Sequence, residues 1–382
     1  MNDAWQYKPG DDEKTARFSA QFRPQRRRVV SCAARAMKIL IVKLGSIGDI
    51  VHTLPALAAL RRALPEAEIS WVAEKRAAEI LRGNPLLEHL IETDTKKLRR
   101  APVSGETLLA TRWQLNRLRA ARFDVAFDFQ GLLKSAFIAR LSGARRRYGF
   151  TREALREPAS RFFLTDTVPT PPRANVIVKN LSLVAGALGV EVPRDPAEFE
   201  FPLAIEKTHE DEAAKLAEQA GGAFAVLNPG GGWPTKLWPA KRFGALADAL
   251  WQKHGLASLI TYGPGETELA ARVAGASSSG HAHAVSPSLK GFYALARLAR
   301  LYVGGDTGPT HLAVAAGASV AGIFGPTEWW RNGSPRPADI CIERADIPCR
   351  VNCHRRACNN WICLDIEVEQ VLRFVETRMA RP

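Results

Sequence analysis

Apolar runs and helical periodicities alternate along the chain from Lys38 onward. KILIVKL reads as a buried strand, DIVHTLPALAALRRAL as an amphipathic helix, EISWVAE as a second strand and, after polar and helical segments, DVAFDFQ as a third. That alternation is the rhythm of βαβ units. The pattern resets near FEFPLAI, after the proline-containing stretch Pro193 to Pro202, and a helical segment rich in Glu, Lys and Ala leads into AFAVLNPGGG. ASLITYG, HAHAVSP, RLYVGGD and ASVAGIFGP then read as short buried strands between helices such as AKRFGALADALWQKHG. Two parallel-sheet domains are predicted, with the break at Pro202. No repeat with a period of roughly 20 to 50 residues is present, which argues against a solenoid or propeller. Paired α/β domains hold ligands in the cleft between the carboxyl ends of their strands, so the loops that follow strands are where chemistry is expected.

Composition fits this picture. The 382 residues suit two domains at roughly 100 to 200 residues each, and 46% hydrophobic with 24% charged residues is the balance of a soluble globular chain. No apolar run approaches the roughly 18 residues a membrane-spanning helix needs. Residues 1–36 show no core-forming periodicity and are expected to be a disordered extension. Within them Arg26, Arg27 and Arg28 precede an apolar run that Ser31 interrupts and Arg35 ends, too short for a signal peptide, so export is not expected. Five of the six cysteines fall between Cys341 and Cys363, a distribution unlike a disulfide scaffold, and a reducing compartment is expected.

The net charge of +14 is concentrated: from Lys96 to Arg156 there are fifteen basic and four acidic residues. Such a stretch suits phosphates, carboxylates or an anionic membrane surface; the plain alternative is a solvated face. A nucleic-acid-binding protein is a rival reading, but few aromatic residues interleave the basic ones, which leaves a base-stacking platform poorly supported.

Three strand-end loops carry candidate chemistry. In KLGSIGD, Gly45 and Gly48 permit a tight turn and close backbone approach, and Asp49 either caps the following helix or points its carboxylate into the cleft, where it could accept a proton. NPGGGWPTKLWP is glycine-rich without being a Walker A loop; its Lys236 could serve as a point charge on a phosphate, or be a surface lysine beside Trp238. GGDTGPTH opens an apolar helix whose first N–H groups, with the Thr307 and Thr310 hydroxyls, suit a pyrophosphate, while Asp306 could accept from sugar hydroxyls; capping roles for Asp306 or Thr307 and a packing role for His311 are the alternatives. The chain has no Asp-x-Asp pair with which to hold a divalent metal against a diphosphate. Cys349, Cys353, Cys358 and Cys363, with His354 among them, form a candidate structural zinc site, although their spacing departs from CxxC knuckles and free thiols or a redox pair fit as well.

Together these loops resemble glycosyltransferase family 9, the heptosyltransferases of lipopolysaccharide core synthesis. The resemblance rests on MKILIVKLGSIGDIVHTLPAL, DFQGLLKSA, REPAS, TKLWP, GGDTGPTHLAVAAG and GIFGPT, and spans nearly everything from Met37 onward. It implies the α/β GT-B fold, two Rossmann-like domains facing a cleft: residues 37–202 binding the acceptor and 203–382 binding ADP-heptose, with a C-terminal helix packing back on the first domain. It implies that Asp49 is the catalytic base, with Ser46 and Gly48 beside it on the acceptor side, and that Lys236 stabilises the departing ADP. Gly231, Gly232, Glu266, Asp306, Thr307, Gly308 and His311 map to donor binding, and Lys134, Arg140, Arg152 and Arg156 to an acidic acceptor. The implied reaction is direct displacement with inversion, requiring no cofactor, on Kdo-lipid A or its first heptose at the cytoplasmic face of the inner membrane. A member of the family using another sugar acceptor is the alternative.

Overall fold

The computed structural model describes residues 36–94, 116, 118–349, 353 and 355–381. The expected N-terminal extension, apart from residue 36, and part of the basic stretch lie outside them, as does His354.

Two six-stranded parallel sheets organise the chain. The first contains β1 (Lys38–Val42), β2 (Glu68–Glu74), β3 (His89–Thr93), β4 (Val125–Asp128), β5 (Arg146–Phe150) and β6 (Asp166–Val168), in the order β3-β2-β1-β4-β5-β6. The second contains β7 (Phe224–Asn228), β8 (Ala257–Thr261), β9 (Ala282–Val285), β10 (Leu301–Gly304), β11 (Val320–Phe324) and β12 (Ile340–Glu343), in the order β12-β11-β10-β7-β8-β9. Read from either end, this is the same doubly wound order twice. Central strands such as β1, β7 and β11 are continuous apolar runs because helices cover both faces of each sheet.

In each sheet the winding direction reverses between two neighbouring strands, β1 and β4 in the first, β7 and β10 in the second. The chain leaves such a pair toward opposite faces, which opens a crevice at their carboxyl ends. The four loops that follow these strands begin at Lys43, Phe129, Pro229 and Gly305, so the motifs singled out above fall at the two switch points.

Residues 189–206 carry the chain from the first sheet to the second, with Asn84 Nδ2 donating to the Pro202 carbonyl at 2.7 Å. The C-terminal helix Val368–Met379 does not return to the first domain. Its stripe of Val371, Leu372 and Val375 joins the core of the second sheet, and its Arg378 Nε reaches the buried Asp339 carboxylate at 2.9 Å. An apolar stripe is buried against the nearest unfilled face, and here β11, β12 and the helix Ala240–His254 supply it.

Candidate active site

Lys43 follows β1 directly, with its side chain buried. Its ammonium donates to the Phe129 carbonyl at 2.9 Å and stands 3.4 Å from Asp49 Oδ1. The loop around it is held from β4: Leu44 N donates to Gln130 Oε1 at 3.0 Å and Gln130 Nε2 to the Gly45 carbonyl at 2.9 Å. The DFQG segment thus braces the KLGS loop. Asp128 shapes that brace by accepting from the N–H groups of Gln130 and Gly131, while its second oxygen has no hydrogen-bond partner. Complete burial pushes the Asp128 carboxyl up to about 6, despite these hydrogen bonds and the nearby Lys43 charge.

Ser46, not Asp49, is the N-cap of the short helix Ile47–Val51. Asp49 stands at the third helical position and closes a capping box, its Oδ2 accepting from Ser46 N at 2.8 Å. The helix-capping and cleft-facing readings are therefore both satisfied, because one carboxylate oxygen does each: Oδ2 caps and Oδ1 faces Lys43, with the side chain still 27% exposed. Burial works to raise the carboxyl's pKa, but Lys43, the Ser46 N–H and Arg156 outweigh it and hold Asp49 below the usual carboxylate range.

At the second switch point Lys236 donates to Asp306 Oδ2 at 2.6 Å and to the Asp306 carbonyl at 3.0 Å, and lies 4.0 Å above the Trp233 ring. Lys236 is almost fully enclosed, so it is not a surface lysine. His311 Nε2 approaches Asp306 Oδ1 at 3.3 Å. Burial opposes ionisation of Asp306, yet His311 and Lys236 together hold it far below the usual range. The ammonium has three protons and two are used within the protein. Thr307 is the N-cap of helix Gly308–Ala315 by position but makes no capping bond; with Pro309 in the first turn, the N–H groups of Gly308 and Thr310 are those the helix can offer an anion. Thr310 itself is turned inward, hydrogen-bonded to Tyr302 at 2.9 Å and to the Gly305 carbonyl, so its hydroxyl is structural.

The glycine-rich loop after β7 has three different environments. A Cβ on Gly230 would come within 2.6 Å of Glu266 Oε1, one on Gly231 within 2.7 Å of Leu237 Cδ2, and one on Gly232 would meet nothing within 4 Å. Glu266 therefore lies against this loop, where its other oxygen accepts from Gly263 N at 2.9 Å.

The two switch points meet. A Cβ on Gly48 would sit 2.2 Å from His311 Cδ2, and one on Gly308 would sit 3.1 Å from Ile47 Cβ. Each helix start thus receives a side chain of the other through a glycine notch. Behind this contact His311 lies beside His52, ring centroids 4.2 Å apart, and burial holds the His52 pKa well below the usual imidazole range.

The basic residues divide. Arg156 is exposed and close enough to Asp49 to lower its pKa. Lys134 turns instead toward Glu74, 3.8 Å away, and Arg140 lies near Arg147, outside this group. Arg146 forms a bidentate pair with Asp166 and Arg147 donates to the carbonyls of Ala144 and Phe163, so part of the basic run braces the sheet edge. Arg152 is exposed, one turn from Arg156. Two cations escaped the sequence reading. Lys179, on helix Val176–Leu188, donates to the Ala154 carbonyl and lies 4.2 Å above the Phe150 ring; burial, with Lys43, Arg331 and Arg156 adding repulsion, brings its pKa down to about 8. Arg331 reaches this group from the second domain, where Asn175 Nδ2 ties the start of the Lys179 helix to the Gly333 carbonyl at 3.1 Å. Among the described residues neither Lys179, Arg331 nor Arg156 is paired with a carboxylate. Lys43 was not singled out from the sequence either, although a polar residue after an apolar strand is a signal that could have found it; Lys179 and Arg331 carried no local signal.

Cys349, Cys353, Cys358 and Cys363 line one small cavity with Thr235 and Pro326. All four are free thiols, and Cys358 Sγ is engaged with the backbone of Asn360. Among the described residues no group of three or more His, Cys, Asp or Glu side chains is arranged as a metal site.

The model of glycosyltransferase family 9 (heptosyltransferase) matches residues 112–360. Lipopolysaccharide heptosyltransferase 1 of Pseudomonas aeruginosa is 30% identical over 90% of this chain and 96% of its own length; the protein of the same name from Escherichia coli K12 is 28% identical over 76% and 89%. The solved structure of E. coli heptosyltransferase WaaC with ADP superimposes with a TM-score of 0.73 at 25% identity, covering 90% of this chain and all of that one. The same enzyme with ADP-2-deoxy-2-fluoro heptose gives 0.72 over 89% and 99%. The two sheets facing a cleft are the GT-B fold, and the chain is a glycosyltransferase belonging to family 9.

Proposed function

We propose that this enzyme transfers heptose from ADP-heptose to Kdo-lipid A, the first heptose addition of the lipopolysaccharide inner core, with inversion at the anomeric carbon. The resemblance to heptosyltransferase 1 proteins and to WaaC bound to a fluorinated ADP-heptose supports the donor and the acceptor. The observation that carries the mechanism is the juxtaposition of Asp49 with the Lys236–Asp306–His311 group through the His311–Gly48 contact.

In this mechanism the acceptor hydroxyl lies beside Asp49 and attacks the anomeric carbon as the bond to ADP breaks. Asp49, with its low pKa, is a weak base toward an unactivated hydroxyl; it takes the proton as the new bond forms and the hydroxyl becomes acidic. The third proton of the Lys236 ammonium and the N-terminus of helix Gly308–Ala315 stabilise the charge that grows on the leaving diphosphate. Asp306 and His311 keep that ammonium oriented, while Glu266 and the Gly230–Gly232 loop line the nucleoside side. Arg156, Lys179 and Arg331 balance the acceptor's carboxylates and phosphates. No metal is needed for these steps. Residues 37–202 bind acceptor and 203–382 donor, and the protein works in the cytoplasm as a peripheral enzyme on the inner membrane; among the described residues no helix is long and apolar enough to cross it.

Acceptor-dependent ADP release, measured with Kdo-lipid A and its monoheptosylated form, tests the reading. Wild type should use the first acceptor, and Asp49→Ala should lose on the order of 10² to 10⁴ in kcat while still binding ADP. Release with neither acceptor despite donor binding would refute it.

A further inference from the structure

The large apolar side chains exposed on the first domain cluster on two packed elements. Phe162 is 87% exposed in the turn Pro158–Phe163, and Phe137 and Leu133 are 47% and 42% exposed on helix Leu133–Leu141. Leu133 and Phe137 are four residues apart and share a helix face. Phe137 meets the turn edge-on through Phe163, ring centroids 5.7 Å apart, which brings Phe162 to the same surface. Cations surround the three. Lys134 and Arg140 are exposed on the helix and Arg156 opens the turn segment, while the nearby Glu157 is held by the Leu133 N–H at 2.6 Å. Glu153, and Glu74 at 3.8 Å from Lys134, are the other carboxylates close by.

This patch stands at the cleft mouth on the side of Asp49. The helix begins three residues after Gln130, which grips the Gly45 carbonyl, and Glu157 N donates to the Gly131 carbonyl at 3.1 Å. Exposed apolar side chains with exposed cations among them suit an anionic bilayer: apolar groups enter the headgroup boundary while the cations meet phosphates. We infer that Leu133, Phe137 and Phe162 form a bilayer-docking surface that seats the acceptor-side cleft mouth on anionic lipid. It rests on the proposed lipid-linked acceptor, because a docked mouth lets a sugar headgroup reach Asp49 while its acyl chains stay in the membrane.

The experiment is sedimentation of the full-length protein with phosphatidylethanolamine/phosphatidylglycerol vesicles and with neutral phosphatidylcholine vesicles, for wild type and Phe137→Ser/Phe162→Ser. Thermal unfolding checks that the variant, altered only at exposed positions, keeps its fold. Wild type should bind the anionic vesicles in a salt-sensitive way, and the variant should lose at least about tenfold in partitioning. Turnover of an acyl-free soluble acceptor should be the same in both proteins, while KM for vesicle-embedded acceptor rises in the variant. Equal vesicle binding by the two proteins, or none by wild type, overturns the surface. So does a wild-type dimer that the substitutions dissociate without changing vesicle binding, since a second copy would then be the occupant. If wild type binds vesicles through these rings yet turns over no acceptor, the docking surface stands and the proposed reaction fails.

Discussion

The two switch points share one topology and treat charge in opposite ways. Around β7 and β10, Lys236, Asp306 and His311 are buried and satisfied by one another, a neutralised set built before any ligand arrives. Around β1 and β4, Asp49 is partly open and faces cations that outnumber it, with Arg156, Lys179 and Arg331 lacking carboxylate partners among the described residues. Under the proposed reaction, a closed set suits a donor whose diphosphate is always the same, and an unbalanced one leaves the acceptor's own anions to complete the charge. The lesson is that identical βαβ winding fixes where ligands bind but not how much of the site the protein completes by itself.

Breaking the closed set should have the largest effect. Lys236→Met leaves the Asp306 carboxylate buried with His311 alone and is expected to cost about 3 to 5 kcal/mol of stability, since removing one partner strands the other. Urea unfolding measures this, and Lys236→Met/Asp306→Asn should recover part of the loss; an additive double variant would show that the pair is not coupled. On the open side the sign reverses. Asp128 has a native pKa near 6 against an ordinary 3.8, so the native state binds more protons between those values and stability falls as pH rises through that window. The two-unit gap corresponds to about 3 kcal/mol. Asp128→Asn should therefore be more stable than wild type at pH 7.5 but not at pH 3.5, and a variant retaining the wild-type pH slope would sink the assignment.

Gly48→Ala probes the seam between the two sides. Its Cβ would displace His311 and shift Asp49, the proposed base, relative to the proposed donor side, and a misplacement of about 1 Å costs on the order of 100-fold in kcat. Stopped-flow turnover at saturating substrates gives the number; a change confined to KM would mean that His311 gives way freely. The smallest effect concerns Lys179. Protonated below its pKa of about 8 and neutral above it, Lys179 should help hold an anionic acceptor only on the acid side. Acceptor KM should rise severalfold between pH 7 and 9 in wild type and be flat in Lys179→Met; parallel profiles would remove Lys179 from the acceptor site.

Much of this was legible in the sequence because strand-end loops announce themselves. An apolar run stopped by glycines, as in KILIVKLGSIGD or LYVGGDTGPTH, marks both the strand and the loop behind it, and such loops are where doubly wound sheets bind ligands. What stayed hidden depends on contacts between distant segments. Lys179 looks like an ordinary helix lysine until Arg156 and Arg331 arrive from other elements, and Asp128 like a strand-end aspartate until burial strands one of its oxygens. The C-terminal helix has a clear apolar stripe, yet a stripe does not name its partner, and the second sheet was the nearer face.

The paired notches at Gly48 and Gly308 bear on how this enzyme could be rebuilt. Each half of the molecule is shaped as a mould for one side chain of the other, so the halves are not interchangeable parts. A chimaera that joins the first domain of this chain to the second domain of a relative should keep Asp49 in register when the incoming helix offers at 311 a ring that fits the Gly48 notch and at 308 a residue small enough for Ile47. An incoming second domain must be fitted to this lock before its own chemistry counts.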